Sequence, residues 1–463
     1  MTACERRPAA GPVPARVLVV GFARTGESVA RVLAGRGSTV VAVDDAPSPE
    51  AVERAERAGV DLLVAPGRDA IAGAVRDAEL VVASPGVPLS HEVFDVAGGV
   101  PVVSEVELAF RLGGPQLVAV TGTNGKTTVT SLVTSMLARS GLRVRAAGNI
   151  GYPLVEAVVD AEVDLVVAEV SSFQLALTTS FRPKVGAWLN LAEDHLDWHG
   201  DLEEYASAKA RIWACQQEGD VAVANAADPG VLARARASSG TLVTFGADDS
   251  DVRLVGSALV GPGGSVWADV ADLPRAMPHD VSNALAAIAI ASSAGGARDA
   301  CRDALREAAP LAHRVSLVGS VGGVAYLDDS KATTPAAVVA ALAGLGRVVL
   351  IAGGRNKGLD LRPIADAALG RGGGQAGAQL RAVVAIGEAA GAVSEALAGP
   401  WPVEIASSMH EAVVQASALA RPGDSVLLSP GCASFDWYRS YEERGDDFVD
   451  EVRALSRADD GER

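Results

Sequence analysis

The segment Gly122-Thr123-Asn124-Gly125-Lys126-Thr127-Thr128 carries the most specific chemistry in the chain. It follows an apolar run, Leu117–Thr121, and opens a stretch of helical spacing, Thr127–Ser140. Backbone N–H groups of such a Gly-rich turn converge on phosphate oxygens, and the helix N-terminus adds a favourable dipole. In this setting Lys126 reaches the β- and γ-phosphates and the Thr127 hydroxyl ligates Mg²⁺. Gly122 and Gly125 stand closer together than in the usual phosphate loop, but strand and helix are both in place. The segment predicts a nucleoside triphosphate site.

Glu169 ends another apolar run and is followed by Ser171, Ser172 and Gln174. An acid at a strand's C-terminal end, across from a phosphate loop, is well placed to hold Mg²⁺. Asn190-Leu-Ala-Glu-Asp194-His195-Leu-Asp197 closes the next strand and is dense in metal-capable side chains. His195 and His199 sit four apart, but no cysteine or third histidine accompanies them, so a zinc-protease site is rejected. His195 is expected as a neighbour of a Mg²⁺ site, a satisfied loop histidine being the alternative. Lys209, four residues after Tyr205 on an amphipathic stretch, reads by itself as a solvated lysine. A second Gly turn, Gly21-Phe-Ala-Arg-Thr25-Gly26, follows the first strand, and Asp44 ends the next. It suits a dinucleotide, a sugar nucleotide or a bare structural turn equally well, and Ser84-Pro-Gly86 on the same edge could extend it.

Further along, His313-Arg314 could offer a guanidinium fork to phosphate. Asp328-Asp329-Ser330-Lys331-Ala332-Thr333, Gly353-Gly-Arg355-Asn-Lys357-Gly358 and Ser429-Pro-Gly-Cys432-Ala-Ser434 each follow a strand. Together they bring Lys331, Thr333, Lys357 and Ser434 to strand ends that could hold a small carboxylated substrate.

These residues need strand–loop–helix units to position them, and the chain has that texture. Val17–Gly21, Thr39–Asp44, Leu80–Ser84, Leu117–Thr121, Leu165–Glu169, Ala187–Asn190 and Val221–Asn225 read as buried strands. Helical segments such as Glu27–Arg36 and Asp201–Gln217 lie between them, which predicts doubly wound parallel α/β sheets. The pattern restarts at Leu117 and again after Pro310, where strands are expected at Val324–Leu327, Arg347–Ala352, Ala382–Ile386 and Ser425–Ser429. A length of 463 residues agrees with about three domains. With 40 basic and 57 acidic residues the net charge is −17, which argues against non-specific binding to nucleic acid or anionic lipid. The four cysteines, Cys4, Cys215, Cys301 and Cys432, are too dispersed for a disulfide scaffold or zinc ribbon and suit a reducing compartment. No apolar run approaches the length of a membrane span, so a cytoplasmic protein is expected. Met1–Ala15 reads as a disordered lead-in, Gly370–Gln379 as a surface loop and Asp459–Arg463 as a frayed tail.

In this order, GTNGKTT, AEVSSFQL, NLAEDHLD, DDSKAT and SPGCASFD resemble the Mur ligases of peptidoglycan synthesis, from about Val17 to Val452. SSFQL and DDSKAT are similar to the branch that adds glutamate. The resemblance implies a Rossmann-like N-terminal domain for a UDP-sugar (1–104), a central P-loop ATPase-type parallel sheet (105–310) and a C-terminal Rossmann-like glutamate domain (311–463). It implies that Thr25, Gly26, Asp44, Ser84, Gly86, Asn149, Ser171 and Gln174 bind the UDP-muramoyl substrate. Gly122, Thr123, Asn124, Gly125, Lys126, Thr127, Thr128, Asn283, Arg314 and Asp329 would bind ATP, Asn283 through adenine. Thr127 and Glu169 would hold one Mg²⁺ and His195 a second. Lys209, in the family's Y-x-x-A-K, would be carbamylated, which turns a cation into an anion beside the metal. Lys331 would serve the transferring phosphoryl group, and Thr333, Lys357, Ser434 and Tyr441 would surround the incoming glutamate.

The expected reaction is ATP-dependent joining of D-glutamate to UDP-N-acetylmuramoyl-L-alanine through an acyl phosphate, by a monomeric cytoplasmic enzyme. Closure of the third domain is the expected means of excluding water. The same class includes a relative using L-glutamate or another amino acid. A nicotinamide dehydrogenase built on Gly21–Gly26 and a nucleotide-binding regulator without ligase activity are the readings from other classes. Three departures from the family pattern stand out. Asp280 replaces an Asn in Met277-Pro-His279-Asp280-Val-Ser-Asn283, which adds a negative charge near ATP; Ala46 replaces an Arg over uracil; and Tyr441 replaces a Phe.

Overall fold

The computed structural model describes residues 7, 9, 11–371 and 379–461. The chain forms two compact units. One takes the chain through Leu191, then Glu203–Asp272 and Asn283–Glu307; the other takes Ala192–Leu202, Leu273–Ser282 and Ala308–Arg463.

The first unit holds two parallel sheets. Five strands lie in the spatial order Asp61–Val64, Thr39–Asp44, Arg16–Val20, Leu80–Ala83, Val102–Ser104. Six more follow the order Thr241–Phe245, Val221–Asn225, Val185–Trp188, Gln116–Thr121, Leu165–Glu169, Val144–Gly148. The central strands are apolar at nearly every position: Val17–Val20, Leu117–Val120 and Leu165–Ala168 are all buried. A parallel strand covered by helices on both faces requires such a continuous run, which is why these strands stand out in the sequence. In each sheet the chain reverses its direction of winding beside the first strand, Arg16–Val20 or Gln116–Thr121. That places the crevices at the carboxyl ends of those strands, where Gly21 and Gly122 begin.

The sequence pattern does not reveal the antiparallel sheet Arg253–Val255, Ala258–Val260, Val266–Asp269. Its strands are too short for periodicity to register. Nor does the lead-in behave throughout as an unstructured stretch. The Arg7 guanidinium donates to the carbonyls of Phe110 (2.9 Å), Pro115 (3.2 Å) and Gly113 (3.3 Å), and it covers the Phe110 ring. The remainder of that reading, at residues 1–6, 8 and 10, lies outside the described residues, as does most of the expected Gly370–Gln379 loop.

In the second unit one sheet follows the order Ser316–Val321, Val324–Asp328, Ser425–Gly431, Arg347–Gly353, Gln379–Ile386, Val403–Ile405. Only the Ser316–Val321 edge strand pairs antiparallel. The three neighbouring strands at its centre end at Asp328, Gly353 and Gly431, so the three expected polar loops share one edge. The helix Tyr441–Gly461 carries the chain through the tail expected to fray; residues 462–463 lie outside the described residues. Among the described residues no helix is long and apolar enough to cross a membrane.

Glu105 is a buried acid that the sequence reading did not single out. It begins the helix Glu105–Arg111 and accepts the Val155 N–H at 2.6 Å. Burial pushes its carboxyl up to about 7. A folded-state value above the unfolded one means the native state binds the extra proton. The associated stability is complete below roughly pH 4 and is lost as pH rises through about 7. Glu105→Gln should therefore flatten the fall in Tm between roughly pH 5 and 8 in thermal unfolding scans; a slope identical to wild type would refute this.

Candidate phosphate-binding and ligation site

The phosphate loop is held open from two sides. Gly125 adopts φ 83° as the residue before the helix Lys126–Arg139, a left-handed conformation that favours glycine. A Cβ at that position would also lie 2.6 Å from Asn283 Oδ1, so glycine is required twice over. Asn190 clamps the loop: its Oδ1 accepts the Asn124 N–H at 2.8 Å, its Nδ2 donates to the Asn124 carbonyl at 3.1 Å, and its own carbonyl accepts the Thr123 N–H. Lys126 Nζ donates to the Gly122 and Thr123 carbonyls, both at 2.9 Å. Thr127 and Thr128 are half-buried in the first helical turn.

Lys209 corrects the solvated reading. It is buried, its Nζ donates to the Gly122 carbonyl at 3.0 Å, and it lies 4.4 Å above the Tyr205 ring. Tyr205 Oη in turn is hydrogen-bonded to Thr123 Oγ1 at 3.2 Å. The helix Leu202–Ala214 thus turns its Tyr205/Lys209 face onto the loop.

Glu169 is buried at the end of its strand, next to the strand that feeds the loop. Its Oε1 accepts from Asn149 Nδ2 at 2.9 Å, while its Oε2 is buried with no hydrogen-bond partner. An orphaned carboxylate oxygen is costly in a protein interior and marks a place for a cation. Among the described residues no three His, Cys, Asp or Glu cluster as an all-protein metal cage. Mg²⁺ fits this donor set, because it retains waters and combines one or two protein oxygens with substrate phosphates. Asn149 sits beside Glu169, and Ser171 and Gln174 bond each other in a capping box.

At the first Gly turn, Asp44 Oδ2 accepts the Phe22 N–H at 2.7 Å and Ser84 Oγ donates to the Gly21 carbonyl at 2.8 Å. Gly26 packs so closely on the Gly21 carbonyl that a side chain there would collide with it. Thr25 is half-buried on the same turn and Gly86 is exposed, with open space around it.

In the second unit, His195 adopts φ 56° next to Asp194, whose Oδ1 also receives Lys357 Nζ at 3.2 Å. Asp329 accepts from Ser429 Oγ at 2.8 Å, and burial pushes its carboxyl up to about 7. Lys331 Nζ lies 4.8 Å above the Tyr441 ring. Thr333 is half-buried on that loop, and Ser434 is buried on the third. Sequence reasoning missed Arg444, which is buried. It donates to the Ser330 hydroxyl (3.0 Å), the Ser330 carbonyl (2.8 Å) and the Cys432 carbonyl (3.2 Å), binding two of the three loops together. Its setting, Glu442-Glu443-Arg444-Gly445-Asp446-Asp447, resembles a solvated helix face and carries no signal of burial.

The chain matches the model of the Mur ligase MurD-like N-terminal domain over residues 15–104, the Mur ligase middle domain over 120–291 and the Mur ligase glutamate ligase domain over 313–432. It is 40% identical to a UDP-N-acetylmuramoylalanine--D-glutamate ligase of Pelotomaculum thermopropionicum, covering 96% of this chain and 98% of the relative. It is 43% identical to the enzyme of the same name from Frankia casuarinae, over 95% and 94%. Among solved structures, the fold matches UDP-N-acetylmuramate-alanine ligase MurC from Thermotoga maritima with TM-score 0.59 at 19% identity, over 95% of this chain and 99% of that one. MurF from Acinetobacter baumannii matches with TM-score 0.59 at 18% identity, over 94% and 93%.

Proposed function

The chain belongs to the Mur ligase family, and from that premise we propose that it joins D-glutamate to UDP-N-acetylmuramoyl-L-alanine at the expense of ATP in peptidoglycan precursor synthesis. The observation that carries the ATP chemistry is the clamped phosphate loop beside the unpartnered Glu169 oxygen.

In this reading the alanine carboxylate attacks the γ-phosphorus of ATP. ADP leaves, and the acyl phosphate forms. The glutamate α-amine then attacks the acyl carbon, phosphate departs and the amine loses its proton. Lys126 and the loop N–H groups of Gly122, Thr123, Asn124 and Gly125, with Thr127 and Thr128, hold the phosphates and neutralise their charge. Thr127 and Glu169 would hold one Mg²⁺ and His195 a second, and the ion supplies charge neutralisation on the phosphoryl oxygens. Lys209 as a carbamate would present an anion to that site. Its burial against the loop, beside the phosphate-binding turn, supports this assignment. Asn283 serves adenine, while Arg314, Asp329 and Lys331 serve the phosphates and the transferring group.

Thr25, Gly26, Asp44, Ser84, Gly86, Asn149, Ser171 and Gln174 form the UDP-sugar set, and Thr333, Lys357, Ser434 and Tyr441 the glutamate set. Three functional segments, 1–104, 105–310 and 311–463, are supported by family models that match them separately. The reading requires no second copy of the chain, and a cytoplasmic location agrees with its nucleotide substrates.

Phosphate release with ATP, Mg²⁺ and UDP-N-acetylmuramoyl-L-alanine, measured against amino acids of both hands, tests the proposal. Mirroring the acceptor would strand a carboxylate or a lysine, and with the hand taken from the family's D-glutamate ligases, D-glutamate should exceed L-glutamate by about 30-fold or more in kcat/KM. Equal or better turnover of L-glutamate would refute the D-specific assignment.

A further inference from the structure

Arg275 lies outside the substrate-binding sets, yet all five of its N–H donors are engaged. Its Nε and Nη2 fork the Asp280 carboxylate at 2.7 and 2.8 Å, and Nη2 also meets His279 Nε2 at 3.1 Å. Its Nη1 donates to two successive backbone carbonyls, Arg314 at 3.0 Å and Val315 at 2.7 Å. The backbone at those carbonyls is strained. His313 and Val315, on either side of Arg314, take φ 59° and 49°, left-handed values that are particularly unfavourable for a β-branched residue. A turn of this kind persists only when its surroundings over-determine it. Arg275 secures one side, and the other is held by His313, whose Nδ1 lies 2.6 Å from Asp328 Oδ2.

The same geometry accounts for Asp280. An asparagine there would offer one acceptor oxygen and turn its own N–H donors toward a guanidinium that can only donate. The acid offers two acceptors and pairs with the cation, so the negative charge that distinguishes this position from the family pattern is balanced by Arg275. His279 Nδ1 faces the Ala340 carbonyl at 3.3 Å, which leaves Nε2 as the acceptor for Arg275.

We infer that Arg275 is a positioning residue for Arg314: oriented by Asp280, it clamps the strained His313–Val315 turn and so fixes where the Arg314 guanidinium is presented. The inference rests on the reading of Arg314 as a phosphate contact. It is tested on the full-length enzyme with Arg275→Met, Arg275→Lys, Asp280→Asn, Arg314→Ala and the double variant Arg275→Met/Arg314→Ala. Arg275→Met should lower kcat by about tenfold or more while the KM for the UDP-sugar substrate stays within about twofold. Arg275→Lys should not restore it, because an ammonium cannot bridge a carboxylate and two carbonyls at once. The decisive comparison is the double variant. If Arg275 acts through Arg314, its removal costs nothing further once Arg314 is gone; multiplied losses would overturn the proposal.

Should Arg275→Met fail to fold by circular dichroism, Asp280→Asn carries the same comparison. Its several-fold loss should vanish in the Arg314→Ala background, and a loss that persists there would overturn the clamp. If the wild-type enzyme releases no phosphate, the ligase reading falls separately. MgATP affinity by calorimetry then decides the clamp, which predicts weaker binding in Arg275→Met and equal binding in Arg314→Ala and the double variant.

Discussion

Replacing Lys126 by alanine should lower kcat by about 10³-fold or more, equivalent to about 4 kcal/mol of transition-state stabilisation, while the folded structure survives. The loss is large because phosphoryl transfer involves little covalent work by the protein; alignment and charge neutralisation are nearly all it can contribute. The protein keeps its fold because Lys126 is half-buried at the start of a helix, not inside a core. Its bonds include two to the carbonyls of Gly122 and Thr123. Hydrogen bonds of this kind contribute about 1 kcal/mol each, and water can replace part of that at a loop rim. Steady-state phosphate release beside a thermal unfolding curve checks both halves. Activity within tenfold of wild type would remove the loop from the mechanism.

Lys209→Ala is the second large effect, expected at about 10²-fold or more in kcat. The physical case begins with burial. A lysine held under a loop carbonyl and over the Tyr205 ring has lost most of its hydration, so its effect should far exceed that of the solvated lysine its sequence context suggests. Two roles compete, a carbamate that presents an anion and an ammonium that pins the Gly122 carbonyl. Exhaustive removal of dissolved CO₂ separates them. The carbamate role predicts that wild-type activity falls and returns with bicarbonate, with a ¹³C carbamate resonance that is missing in Lys209→Ala. Unchanged activity without CO₂, together with no such resonance, would leave Lys209 as a structural pin.

The parallel α/β framework and the phosphate loop were legible from the residues alone, because both are written in neighbouring positions. Val17–Val20, Leu117–Val120 and Leu165–Ala168 must be apolar without interruption to lie between two helical layers, and a loop opening a helix announces itself by its glycines and lysine. The motif order likewise carries the family resemblance in the sequence itself. The partners brought in from far along the chain emerge only in the folded molecule. Lys209 reaches Gly122 across 87 positions and Asn190 reaches Asn124 across 66, and no local periodicity encodes either meeting. Arg444 lies in an acidic helix that reads as solvent-facing, yet it is buried against Ser330, 114 positions away. Asp280 was legible only as a departure from a motif; its meaning changed once Arg275 appeared opposite it. The physical reason is the same in each case. A local pattern shows which face of an element is apolar, but whether a charged side chain is solvated or buried depends on which distant groups meet its desolvation cost.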